Sequence, residues 1–188
     1  MRLIVFAASA ISALFAAHVA APLPAAAAQK LSAAALDCVR DTAPATLRTS
    51  IADGARAGTD DAWEAAEAKL QPTVDACASR FSVPADQRGA YTTFGGISIV
   101  MPELAARIRR AGLDPAIADR AIGAGPGKPA PDTREQAMGL MVEKVIKAYQ
   151  QSSNQSLGTE TAALLGLYTA NAVSYWYLRS QLAGNAAS

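Results

Sequence analysis

The chain has 188 residues, a formal net charge of +1 and a single histidine. With 17 Lys and Arg against 16 Asp and Glu, it has no global electrostatic pull towards nucleic acid or an anionic membrane. Alanine is abundant, aromatics make up only 6% of residues and β-branched runs are short, which together favour helix by propensity.

Residues 1–28 read as a cleavable export signal. Met1-Arg2 leads into an uncharged stretch from Leu3 through Ala17, and small residues gather at Ala25 to Ala28. This is the layout of a secretory leader, too short and Ala-rich for a membrane span. Cleavage is expected after Ala28, leaving Gln29 as the new terminus, because a cut after Ala21 would place Pro22 beyond the bond. A lipidated cysteine is excluded, since Cys38 follows Leu36-Asp37. Removal of the leader takes away Arg2 and His18, leaving 16 basic against 16 acidic side chains and a net charge of zero. The mature part, 29–188, suits one domain with a single core. Its setting is expected to be the periplasm or the extracellular medium, with no membrane span once the leader is gone.

Cys38 and Cys77 fit an oxidising compartment, where exported proteins pair their thiols. Redox-active pairs lie in a Cys-x-x-Cys turn, whereas 38 residues intervene here. The pair therefore reads as a structural disulfide.

The helix signals follow in chain order. Ser32 caps a first helix over 32–42. Pro44 opens a second that ends near Gly54 and Gly58. Thr59 caps a third, with Asp60, Asp61 and Glu64 where the helix dipole favours negative charge. Pro72 is expected to break or kink it before it resumes through Val74, Cys77 and Phe81. Pro84 starts a helix to Phe94, interrupted by Gly95-Gly96. The run Ile97 to Val100 fits a short strand or a helical turn equally well. Pro102 opens a helix that stops at Gly112, and Asp114-Pro115 starts another at once.

The segment 123–131, rich in Gly and Pro, reads as a loop joining helical groups 29–122 and 132–183. Asp132 to Glu135 resembles a capping box. The helix after it carries Met138, Met141, Val142, Val145 and Tyr149 on one face. The last helix, about 159–182, has two apolar stripes, one with Leu164, Tyr168, Asn171, Tyr175, Leu178 and Leu182, the other with Leu165, Ala172 and Trp176. It is expected to be central, with Leu164, Tyr168, Tyr175, Trp176 and Leu178 buried. Asn171 is expected to bond to a neighbouring helix end or an ordered water.

The fold expected from this pattern is a single all-α domain of six or seven helices packed around the C-terminal helix, with one disulfide.

Most chemistries fail on residue type. Without histidine after cleavage, Ser-His-Asp and Cys-His mechanisms, histidine bases and most zinc or haem sites are excluded. No cofactor or metal is expected. Gly125-Pro126-Gly127-Lys128 lacks the first glycine of a phosphate loop, since Ile122 stands there, and Pro129 replaces the magnesium-binding Ser or Thr. Asp53 to Glu64 has the length of a calcium loop, but Ala55 and Ala57 occupy ligand positions. Residues 102–122, with Arg107, Arg109, Arg110 and Arg120, read as a helix–turn–helix. Export and neutrality argue against DNA binding. Glu64, Glu67, Glu103 and Glu160 leave only a carboxylate-dependent, glycosidase-like hydrolase as a catalytic route.

Tyr175-Trp176-Tyr177 is the candidate surface for a ligand ring or partner, although aromatics at helical spacing more often belong to a core. Tyr177 falls off both stripes. Two function classes remain. The favoured one is a non-catalytic binding module of the cell envelope, taking a protein or a small apolar ligand. The alternative is the small hydrolase acting on envelope polysaccharide. Catalysis leaves a recognisable set of nucleophile, base and stabiliser, and none is visible.

Overall fold

The structure, a computed structural model, describes residues 30–184 apart from 58, 127 and 154–156. The expected leader and its expected cleavage point lie outside the described residues. Ser32 accepts a hydrogen bond from the Ala35 amide and starts α1 (Ala33–Thr42). After Pro44 come α2 (Ala45–Ala57) and α3 (Asp60–Arg80), the latter capped by Thr59 accepting from the Ala62 amide. Then follow α4 (Arg88–Arg110), α5 (Pro115–Ile122), α6 (Glu135–Ser153) and α7 (Thr159–Leu182). No strand occurs among the described residues, so the chain is all-helical as expected.

Two expected interruptions are absent. Pro72 sits inside α3 without ending it. The carbonyl it leaves without a donor belongs to Ala68, an exposed residue whose backbone water can reach. Nor do Gly95, Gly96 or Pro102 divide α4, which runs unbroken for 23 residues, so Ile97 to Val100 is helix. Pro84 opens only a single 3-10 turn, Ala85–Gln87, ahead of it. Tertiary burial outweighs the poor propensity of these residues: every residue from Phe94 to Val100 is buried. Gly95 has a specific reason to be glycine, since a Cβ there would come within 2.8 Å of Cγ1 of Val39 on α1. The absent side chain lets the two helix backbones approach.

The end of α4 is a Schellman turn. The Leu113 amide donates to the Ile108 carbonyl at 3.1 Å and the Gly112 amide to Arg109 at 2.9 Å. Gly112 takes the left-handed φ of 78° that this closure needs. Asp114 then caps α5 by accepting from the Ala116 amide at 3.0 Å, with Pro115 in the first turn. Asp132 does not form the expected reciprocal capping box. It accepts from the Arg134 amide, two residues on, and pairs with the Arg134 guanidinium.

α4 is the hub of the N-terminal part and packs against α1, α2, α3, α5 and α7. α7 packs on α4, α5 and α6. The two long helices thus share the axis of the domain, with α1 to α3 on one side and α5 and α6 on the other. Leu165, Tyr168, Ala172, Leu178 and Leu182 of α7 are buried. Leu164, Tyr175 and Trp176, expected to be buried, are only half-buried. Asn171 is buried, but its Nδ2 donates to the Leu167 carbonyl of its own helix at 2.9 Å, not to a neighbouring helix end.

Cys38 and Cys77 are joined, with α-carbons 6.0 Å apart, and both are buried. The disulfide links α1 to the C-terminal half of α3. The segment before α1 is tied to the end of α7 as well: the Leu31 amide donates to the Leu182 carbonyl at 2.8 Å.

Candidate functional site

The C-terminal half of α7 carries the aromatic triplet. Consecutive residues on a helix point about 100° apart, so Tyr175, Trp176 and Tyr177 cannot share one environment. Tyr175 stacks on Phe94 of α4, with ring centroids 5.1 Å apart and planes 28° from parallel. Phe94 is buried, so this contact fixes Tyr175 to the core. Trp176 meets Tyr175 edge-on, with centroids 5.1 Å apart and an interplanar angle of 86°. It remains half-buried. Tyr177 packs partly on the core and accepts a hydrogen bond from Gln181 one turn later. Tyr175 and Tyr177 are thus packed on the core, and Trp176 is held half-buried beside Tyr175.

A group of charges borders the aromatics. Arg179, one turn beyond Tyr175, donates to its hydroxyl at 3.1 Å and places its guanidinium 5.9 Å from the ring centroid. Asp37 of α1 reaches Arg179 at 3.6 Å and Arg40 at 3.4 Å. Arg40 also donates to Asp41 at 2.9 Å. Partial burial works against the Arg40 charge, but Asp41 and Asp37 outweigh it and hold its pKa above the ordinary guanidinium value. These residues were not singled out in the sequence, because α1 and α7 lie at opposite ends of the chain. Only their packing onto α4 brings Asp37 and Arg179 together.

A second polar group joins α5, α6 and α7. The Tyr168 hydroxyl donates to Asp119 at 2.8 Å, and Tyr149 donates to the Asp114 carbonyl. Burial raises both phenols, Tyr149 to about 12 and Tyr168 further, the latter helped by the Asp119 bond and charge. Phenols held neutral in this way act as fixed donors that dock α5, not as acid–base groups at neutral pH.

None of the four candidate catalytic carboxylates is buried. Glu103 accepts from Arg107 at 3.0 Å and Arg110 at 2.9 Å. The Arg107 hydrogen bond leads in lowering its pKa, the reverse of what a general acid needs. Glu64 and Glu160 are exposed on α3 and α7, and Glu67 is half-buried on α3. No group of His, Cys, Asp and Glu among the described residues has the arrangement of a metal site. The stretch from Asp53 to Glu64 is the end of α2 and the start of α3, which rules out a twelve-residue ligand loop. Residues 102–122 are the last part of α4 and α5, and α5 packs against α6 and α7 with Pro115 and Ala118 buried. Among the described residues, no helix is long and apolar enough to cross a membrane.

The chain matches no protein-family model, and neither the curated proteins nor the solved structures contain a significant match to it.

Proposed function

We propose that this protein is exported and acts in the cell envelope, periplasmic or secreted, as a non-catalytic binding module. Its contact surface is the aromatic end of α7. The observation that carries this reading is Trp176: a large aromatic that is left half-buried while it meets the core-packed Tyr175 edge-on. A rigid aromatic of this kind contributes contact area at low cost in lost side-chain freedom. A buried disulfide between α1 and α3 agrees with an oxidising compartment. The hydrolase alternative loses ground because Glu103 is neutralised by two arginines and none of the four carboxylates is buried.

The test has two parts. N-terminal analysis of the protein recovered outside the cytoplasm should show a chain beginning at or near Gln29; an intact Met1 there would overturn the export reading. Sedimentation with isolated envelope material should retain the mature protein, and Trp176→Ala should release it without changing its far-ultraviolet circular dichroism. Equal retention of both proteins would refute the role of α7.

A further inference from the structure

The connection from α4 to α6 holds one helix, α5, and α5 is attached differently from its neighbours. A glycine in the left-handed region stands on each side of it, Gly112 at φ 78° before the cap Asp114 and Gly123 at φ 73° at its end. A Cβ at either position would meet nothing within 4 Å. Close packing therefore does not select glycine there; the backbone angle does. After Gly123 come Pro126, Pro129 and Pro131, and no described residue is helical again until α6. Both links of α5 to the long helices are thus irregular backbone, able to absorb a change of direction.

α5 also buries little. Pro115 and Ala118 are buried, while Ile117, Ala121 and Ile122 are only partly covered. α4, by contrast, buries Tyr91, Phe94, Ile97, Val100, Leu104 and Ile108. Two hydroxyls supplement the small apolar contact of α5. Tyr149 of α6 donates to the Asp114 carbonyl at its start, and Tyr168 of α7 donates to the Asp119 carboxylate at 2.8 Å. α5 packs mainly on α6 and α7, so its departure leaves the α1–α4 and α4–α7 contacts in place.

We infer that α5 is a strap that swings open as a unit between Gly112 and Gly123, with the hydroxyls of Tyr149 and Tyr168 as its latch. Opening frees both hydroxyls and bares the sides of α6 and α7 that carry them. The surface of the protein changes while its core stays folded, which is the behaviour of a local cooperative unit. The strap is independent of the aromatic end of α7 and of the binding-module reading.

Native-state hydrogen exchange of the mature, oxidised chain, followed amide by amide, tests this. The hydrogen-bonded amides of α5 should be at least about tenfold less protected than those in the middle of α4 and α7. Their exchange should depend only weakly on urea, because strap opening exposes little surface. Tyr91→Phe removes a buried hydrogen bond from α4 to the Ala35 carbonyl of α1. It should speed exchange in α4 and α7 about tenfold and leave α5 unchanged, since that bond persists when the strap is open. Tyr168→Phe should speed exchange in α5 about tenfold. Protection of α5 equal to that of α4 and α7 would overturn the inference. So would an α5 that responds to Tyr91→Phe as α4 does, or one indifferent to Tyr168→Phe. Joint exchange of α6 with α5 would overturn it too, because the moving unit would then be larger than the strap.

Discussion

Replacing Gly95 with alanine sets two opposing effects against each other. Inside a helix, Gly→Ala favours folding by about 1 kcal/mol through backbone entropy. At Gly95, however, the new Cβ would come within 2.8 Å of Cγ1, 3.2 Å of Cβ and 3.3 Å of Cγ2 of Val39. All three outer carbons of the valine are close, so no rotation about its stiff χ1 removes the clash. Val39 is fully buried, and α1 is tethered to α3 by the disulfide. Relief therefore requires the helices to separate, and overpacking of this kind costs about 1–3 kcal/mol. The clash should win, and Gly95→Ala should be the less stable protein. Gly139 provides the contrast: a Cβ there meets nothing within 4 Å on α6, so Gly139→Ala should be stabilising. In a Val39→Ala background the Gly95→Ala change should lose its penalty, giving a coupling of about 1–3 kcal/mol. Urea unfolding of the four proteins of this cycle, followed by circular dichroism, measures it. Equal or greater stability of Gly95→Ala would refute the close-approach argument. So would a penalty that persists without the Val39 methyls.

Reducing the disulfide, or changing Cys38 and Cys77 to Ser together, should lower unfolding stability by about 4 kcal/mol in the chain-entropy model; a shift near zero in the denaturation midpoint would mean the bond adds little to the fold. Leu178→Ala should cost roughly 2–5 kcal/mol, because the side chain is buried and its removal leaves a cavity. Met141→Ala on half-buried α6 should cost less, and the reverse order would displace α7 from the centre. Burial raises Tyr91 and Tyr149 from 10.0 to about 12, so the folded chain holds these protons more tightly than the unfolded one. Their contribution is complete below pH 10 and is lost as the pH climbs towards about 12, so stability should fall across that window. Absorbance of tyrosinate should show at least these groups titrating late; phenols that all titrate near pH 10 in the folded state would contradict their burial.

Local signals decided where several helices begin and end. Ser32, Thr59 and Asp114 each cap the helix expected of them, Gly112 takes its left-handed turn, and α7 spans Thr159–Leu182. Each of these rests on a side chain or a backbone angle within a few residues, so neighbouring sequence is sufficient. The disulfide was legible for a similar reason, since two cysteines allow a single intramolecular pairing. The continuity of α3 and α4 was not legible. Pro72, Gly95-Gly96 and Pro102 are breakers by propensity; the burial of α4 from Phe94 to Val100, with Val39 against Gly95, keeps the glycines helical, and Pro72 lies on the exposed side of α3 where water can serve the carbonyl it leaves free. The aromatic triplet could be located in the sequence, but not the roles of its members. Tyr175 is anchored by Phe94 of α4, Arg179 is paired with Asp37 of α1, and Trp176 is left half-buried against Tyr175. Those partners lie 81 and 142 residues away in the chain, a distance that no local periodicity spans; the packing of α1 and α7 on α4 brings them together.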